Sequence, residues 1–182
     1  MSLTFPAASR VGAEEPVVRR AAPDDAARLT DLALRSKAVW GYEVAFMDAC
    51  RAELTISRES IRHRPTLLAE DRGRLLGFYQ LRLFGPSAEV AHLFIAPEAI
   101  GSGFGRRLWR HLERTARAAG AHRLKVDSDP HAEGFYLAIG MVRRGAAPSG
   151  SIAGRMLPHL AKELASALPN RATVAGSDLE GV

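Results

Sequence analysis

Short apolar stretches, punctuated by glycine and proline, organise this chain. Pro16-Val17-Val18-Arg19-Arg20 reads as a short strand. Pro23 ahead of Asp24 and Asp25 is a helix start with an acidic first turn, and Ala26, Leu29, Leu32 and Ala33 keep helical spacing behind it. A loop with two aromatics, Ser36 to Glu43, leads into a second helix from Val44 to Leu54. Thr66–Glu70 and Leu75–Phe84 read as strands joined by the hairpin signal Asp71-Arg72-Gly73. After the turn Gly85-Pro86-Ser87, the run Ala88 to Ile95 is a third consecutive strand, closed by Pro97.

The next helix places Phe104, Leu108, Leu112, Thr115 and Ala119 on one face and Arg106, Arg110, Glu113, Arg114 and Arg117 elsewhere, and Gly120 stops it. Leu124–Asp127 reads as a strand, Pro130–Ala138 as a short helix, Met141–Arg144 as a strand, and Arg155–Leu164 as a last strand or mixed segment. The order is strand, two helices, three antiparallel strands, helix, strand, helix, strand, strand. That order predicts a mixed α/β (α+β) domain with one strand–helix–strand crossover. Residues 1–15 and 169–182 are small and polar and are expected to be flexible flanks of a single domain over 16–168.

Composition narrows the class. At 182 residues and 47% hydrophobic, with mean hydropathy -0.08, a soluble globular protein is expected. No apolar run approaches the ~20 residues a membrane helix needs. Residues 1–16 lack an apolar signal-peptide core, and Cys50 is the only cysteine, so a cytoplasmic location is expected. The net charge of +5 comes mainly from arginines spread from Arg10 to Arg171. Without a dense basic run or interleaved aromatics, they make a poor nucleic-acid footprint and read as solvated surface. The six histidines show no metal-ligand spacing with Cys50 or the carboxylates.

The chemistry concentrates where the strand ending at Ile95 meets Gly101-Ser102-Gly103-Phe104-Gly105-Arg106-Arg107. A strand passing through a glycine turn into a helix leaves unpaired N–H groups converging at the positive end of the helix dipole, a site suited to phosphate. Two phosphate motifs are excluded. Gly-x-Gly-x-x-Gly fails from Gly101, which puts Arg106 at the third glycine, and from Gly103, which puts Leu108 there. No Gly-Lys-Ser/Thr follows.

Three segments together resemble the GCN5-related N-acetyltransferase (GNAT) superfamily, over roughly residues 17–164. They are the strand ending Leu93-Phe94-Ile95-Ala96-Pro97, the glycine turn with its helix, and Asp129-Pro130-His131-Ala132-Glu133-Gly134-Phe135-Tyr136-Leu137-Ala138-Ile139-Gly140-Met141. The last is similar to the family's Asn-x-x-Ala-x-x-Phe-Tyr-x-x-x-Gly-Phe signature. The resemblance implies the GNAT fold, with a central, mostly antiparallel mixed sheet flanked by helices, whose fourth and fifth strands splay apart. It implies transfer of acetyl from acetyl-CoA to a primary amine of a small molecule or peptide, and it leaves a homodimer open. Two positions depart from the family pattern: Ile100 stands where Gln or Arg is usual, and Asp129 where Asn is usual.

On that resemblance, the amides of Gly101 to Arg106, including Ser102, Phe104 and Gly105, would hold the pyrophosphate beside Ile100. Leu93 would offer its N–H to the carbonyl oxygen, and the pantetheine arm would lie along Leu93, Phe94 and Ile95, near Asp129 and Phe135. Tyr136 would protonate the leaving thiolate, since a phenol with an ordinary pKa of ~10 matches a thiolate of similar basicity. The base is open between Glu89, His92 and water. Trp40, Tyr42, Glu43 and Asp127 are the expected acceptor contacts, with residues beyond Gly145. A non-catalytic acetyl-CoA-binding regulatory module is the alternative reading.

Overall fold

A computed structural model describes residues 16–164. The flanks expected to be flexible, and the last four residues of the expected domain, lie outside them. Among the described residues, seven strands form one sheet: β1 (Val17–Arg20), β2 (Thr66–Asp71), β3 (Arg74–Phe84), β4 (Ser87–Ile95), β5 (Arg123–Asp127), β6 (Val142–Pro148) and β7 (Met156–Glu163). Their order is β1-β2-β3-β4-β5-β7-β6, antiparallel throughout except for the parallel pair β4–β5. The helices are α1 (Ala26–Ala38), α2 (Val44–Leu54), α3 (Arg58–His63), α4 (Phe104–Ala118) and α5 (Glu133–Ala138). The crossover expected from sequence is β4-α4-β5, the connection a parallel pair requires.

Two features of β4 position everything that follows. It pairs with β5 only at Ser87–Arg123, Ala88–Leu124 and Glu89–Lys125, then runs on alone to Ile95. On its other edge a β-bulge skips Ala91, since Gln80 pairs with His92 but Leu81 with Val90. A bulge bends its strand and re-aims the residues beyond it. The sheet therefore opens like a V between β4 and β5.

The helices close the two faces. Tyr79 points to α4, where its hydroxyl lies 2.8 Å from His111 Nδ1 and 2.7 Å from Thr115 Oγ1. Gln80 points to the other face and donates to Thr66 and Ser60 at 2.8 and 3.2 Å. Gly77 of β3 has a packing reason. A Cβ there would sit 2.8 Å from Phe94 O and 3.1 Å from the Phe104 ring, so only glycine lets α4 start this close to the sheet.

Three local expectations are corrected. Ser36–Ala38 belong to α1, so the aromatic loop is shorter than it reads. Helix α3 is absent from the sequence reading, because six mostly polar residues carry no usable periodicity; Ser57 caps it by accepting from Ser60 N at 2.9 Å. On α4 the buried stripe is Phe104, Leu108, Trp109, Leu112 and Ala116, and Ala119 is exposed. Trp109 is drawn in because α5 packs beside α4, and its ring meets Tyr136 edge-on at 5.8 Å.

A polar staple ties the first helical turn to the sheet edge. Arg19 of β1 donates to both carboxylate oxygens of Asp25, at 2.8 and 2.9 Å, and to Glu70 at 2.9 Å. Asp25 is buried, and its bonds from Arg19 and from Ala22 N–H hold its carboxyl below the usual range despite burial. A depressed pKa gives stability that is present above the ordinary value near 4 and lost as pH falls through the folded value. Asp25→Asn is expected to lower stability at pH 7 by about 1–3 kcal/mol, the range for breaking a buried charged partnership. Urea midpoints measured from pH 7 down to 3 should show that gap closing below about pH 4, and a gap constant with pH would remove the charge argument.

Candidate active site

The opening between β4 and β5 is a cavity of about 610 Å³. Leu93, Phe94 and Ile95 wall one side, Val126 to Asp129 the other, and the glycine turn closes one end. Backbone alternation orients β4. Ala96 N–H donates to Leu76 O of the β3 side at 2.8 Å. Successive N–H groups of a strand point to opposite edges, so those of Leu93 and Ile95 face the open edge. The main chain there offers donors that β5 does not take up.

At the turn, the N–H groups of Gly101, Gly103, Gly105 and Arg106 have no acceptor among the described residues. Gly101 and Gly103 both have φ of +82°, a left-handed conformation that favours glycine, and no atom lies within 4 Å of where either Cβ would stand. The turn is an open cradle at the N-terminus of a 15-residue helix. Ile100 and Arg106 also line the cavity. Two residues named with them do not. Ser102 turns its hydroxyl back to Ala99 O at 2.7 Å, and Phe104 is core.

Tyr136 stands on α5 between two rings, Trp109 and Phe135, each met edge-on, at 5.8 and 5.3 Å. Its ring is buried, its residue lines the cavity, and its hydroxyl bonds to no group among the described residues. Burial pushes the phenol's pKa up, so the proton stays on oxygen at neutral pH. The match to a thiolate expected from the ordinary value is thereby corrected: transfer to sulfur needs the same burial to raise the departing thiolate as well.

The two candidate bases separate. His92 lines the cavity, and burial, helped by Arg82 and Arg64, pushes its imidazole down to about 4. It is neutral at pH 7. Glu89 is outside the cavity wall and is ion-paired with Arg82 at 2.8 Å and Lys125 at 3.4 Å.

At the other end, three segments meet at Asp129. Its carboxylate accepts from Lys37 Nζ at 2.9 Å, Tyr42 OH at 2.8 Å, Arg155 Nη2 at 3.2 Å and His131 N at 3.0 Å. Burial opposes its charge, but Lys37, the His131 N–H and Tyr42 outweigh that and hold it below the usual carboxylate range. Burial, then Asp129, pushes Tyr42 up to about 12. Tyr42 also stacks on Phe46 at 4.1 Å, and Trp40 stacks on His131 at 5.2 Å. The loop after α1 is thereby strapped across to the segment after β5. A carboxylate, rather than the family's amide, suits a site facing two cations.

Of the expected acceptor contacts, Trp40 and Asp127 line the cavity. Tyr42 is used by the strap, and Glu43 is exposed at the start of α2, outside the wall. Asp127 pairs with His159 at 2.6 Å. Ser151 and Arg155 are among the residues beyond Gly145 that line this end, and sequence reasoning missed Lys37, Cys50 and Glu53, which line it too. They come from α1, α2 and the β6–β7 connection, and no local pattern signals that these segments converge. Among the described residues no group of three His, Cys, Asp or Glu could hold a metal, and no helix is long and apolar enough to cross a membrane.

Solved structures share this architecture. The chain is similar to the PaiA N-acetyltransferase of Thermoplasma acidophilum, solved with coenzyme A, at 19% identity and a TM-score of 0.68, covering 82% of this chain and 99% of that one. It is similar to a GCN5-related N-acetyltransferase of Rhodopseudomonas palustris at 25% identity and 0.67, covering 86% and 100%. It is also similar to YncA of Salmonella typhimurium, solved with its cofactor acetyl-CoA, at 21% and 0.60, covering 87% and 99%. The family model of the acetyltransferase (GNAT) family matches residues 30–141, from the middle of α1 to the end of the Tyr136 segment. With more than half its length matched, and the strand, turn and helix of that match framing one cleft, this chain belongs to the acetyltransferase (GNAT) family.

Proposed function

We propose that this acyltransferase moves the acetyl group of acetyl-CoA to a primary amine by direct attack in a ternary complex. The observation that carries the reading is the cleft itself: free amides at a helix N-terminus at one end, free strand amides along one wall, and an unbonded phenol between them.

The chain's own groups divide the work. The Gly101–Arg106 amides would anchor a diphosphate, and the absence of any Cβ at Gly101 and Gly103 leaves room for it. When bound, acetyl-CoA supplies a thioester, whose carbonyl gains negative charge as an amine attacks. Leu93 N–H would meet that charge inside a partly dehydrated cleft, where a fixed donor is worth more than water. Tyr136 would give its proton to the departing sulfur. Attack acidifies the amine nitrogen, so a weak base suffices, and His92, neutral at pH 7 and in the wall, fits that task better than the ion-paired Glu89. The family resemblance and the coenzyme A and acetyl-CoA in similar structures support the choice of thioester.

A thermal melt tests the reading. At 100 times Kd a ligand that binds only the folded state adds about 2.7 kcal/mol. For a domain of this size that raises Tm by roughly 5–10 °C. The shift is expected with acetyl-CoA and not with NAD or ATP. No shift with acetyl-CoA would sink the cofactor reading. A shift with no turnover of any amine would favour the non-catalytic binding module.

A further inference from the structure

At the acceptor end of the cleft two cations share a single ion-pairing carboxylate. Lys37 and Arg155 both line the cavity, with side chains only 14% and 17% exposed. One carboxylate, Asp129, serves both. Lys37 Nζ donates only to Asp129, and Arg155 donates only through Nη2, to Tyr42 at 2.7 Å and Asp129 at 3.2 Å. Two N–H groups of Lys37, and Nε and Nη1 of Arg155, have no acceptor among the described residues. Among the described residues no buried side-chain nitrogen or oxygen lacks a partner, so these unused donors reach the open space of the cavity, where an acceptor can meet them.

The guanidinium is also held in place. Its Cζ lies 4.6 Å from the Phe46 ring centre and 5.1 Å from that of Tyr42. A planar fork fixed on aromatic rings suits bidentate recognition of a carboxylate. Among the described residues neither of the other carboxylates of this end pairs with Arg155 or Lys37. Glu53 accepts from Ser151 at 2.6 Å, and Asp127 pairs with His159. Asp127 instead leaves negative charge at the end of β5, two residues before Asp129 in sequence. The wall thus has a cationic pole and, next to it along one segment, an anionic one.

We infer that the acceptor is an amino acid, whose carboxylate is bound by Arg155 and Lys37 while its amine lies toward the Asp127 and His92 side. This inference rests on the acetyl-transfer reading above and names its substrate class. Asp129, Tyr42 and Phe46 act through Arg155 and are positioning residues.

The test compares free amino acids with their C-terminal amides, which keep the amine and side chain but lose the charge. Thiol release from acetyl-CoA is followed over the proteinogenic set, with phosphoethanolamine as a second anionic probe. At least one acid should show kcat/KM ten-fold or more above its amide. Arg155→Gln should cut that ratio to about three-fold or less, while Arg155→Lys keeps part of it. A purely structural role for Arg155 would lower both rates and leave the ratio unchanged. Equal rates for acid and amide, an unchanged ratio in Arg155→Gln, preference for phosphoethanolamine, or no turnover of any acid would each overturn the inference. Turnover of amides with no preference leaves acetyl transfer standing, and the acetyl-CoA melt judges the cofactor separately.

Discussion

Tyr136→Phe is expected to lower kcat by about 100-fold or more, the usual scale for losing a positioned proton donor, while the Kd for acetyl-CoA changes by less than about two-fold. The substitution removes one oxygen and keeps the ring that Trp109 and Phe135 hold edge-on. The hydroxyl bonds to nothing among the described residues, so its loss strands no partner, and stability should stay within about 0.5 kcal/mol. Single-turnover rates with preloaded acetyl-CoA would separate the chemical step from product release. The sign with pH follows from burial. A raised phenol pKa keeps the proton on Tyr136 through neutral and mildly alkaline pH, so wild-type activity should show no loss from its ionisation up to about pH 9. An unchanged kcat in the Phe variant would remove Tyr136 as the acid.

The second large effect is expected at the turn. Gly103→Val should weaken acetyl-CoA binding by about 100-fold, with the fold retained. A β-branched residue at φ +82° costs about 1–3 kcal/mol, so the turn would rearrange and its amides would no longer converge. The added methyls would also enter the open space over the turn. Gly101→Ala separates the two causes, since it brings similar strain with less bulk. The turn is exposed and packs little, so far-UV circular dichroism and the ligand-free Tm should report an intact domain. Wild-type affinity in a folded Gly103→Val protein would show that the turn is not the phosphate site.

His92 shows how the site departs from what its residue types suggest. As a sequence position, a histidine beside the proposed oxyanion donor reads as a base poised near neutrality. In the fold it faces a partly dehydrated wall with Arg82 and Arg64 nearby, and its pKa falls to about 4. Its charge therefore does not change between pH 5 and 8. Glu89 reads equally well as a base from its place in the strand, yet the register puts Arg82 and Lys125 on either side of it. Pairing partners in a sheet come from distant sequence, so neither outcome has a local signal.

The sequence by itself determined the elements and the chemistry of one end of the cleft. Alternation and turn residues located six strands and left Arg155–Leu164 as a strand or mixed segment, glycine and proline bounded α4, and the strand–turn–helix order set out the anion cradle. These are short-range properties, because backbone conformation, helix capping and hydrophobic period depend on residues within a few positions of each other. Tertiary structure alone decided the rest. It placed the extra residue Ala91 in a bulge and ended the β4–β5 pairing at Glu89. It drew Trp109 beneath Tyr136, and it gathered Lys37, Tyr42 and Arg155 around Asp129 from positions up to 118 residues apart. Ion pairs and cavity walls of this kind depend on which segments are neighbours in space, and that is fixed only when the whole sheet and its helices pack.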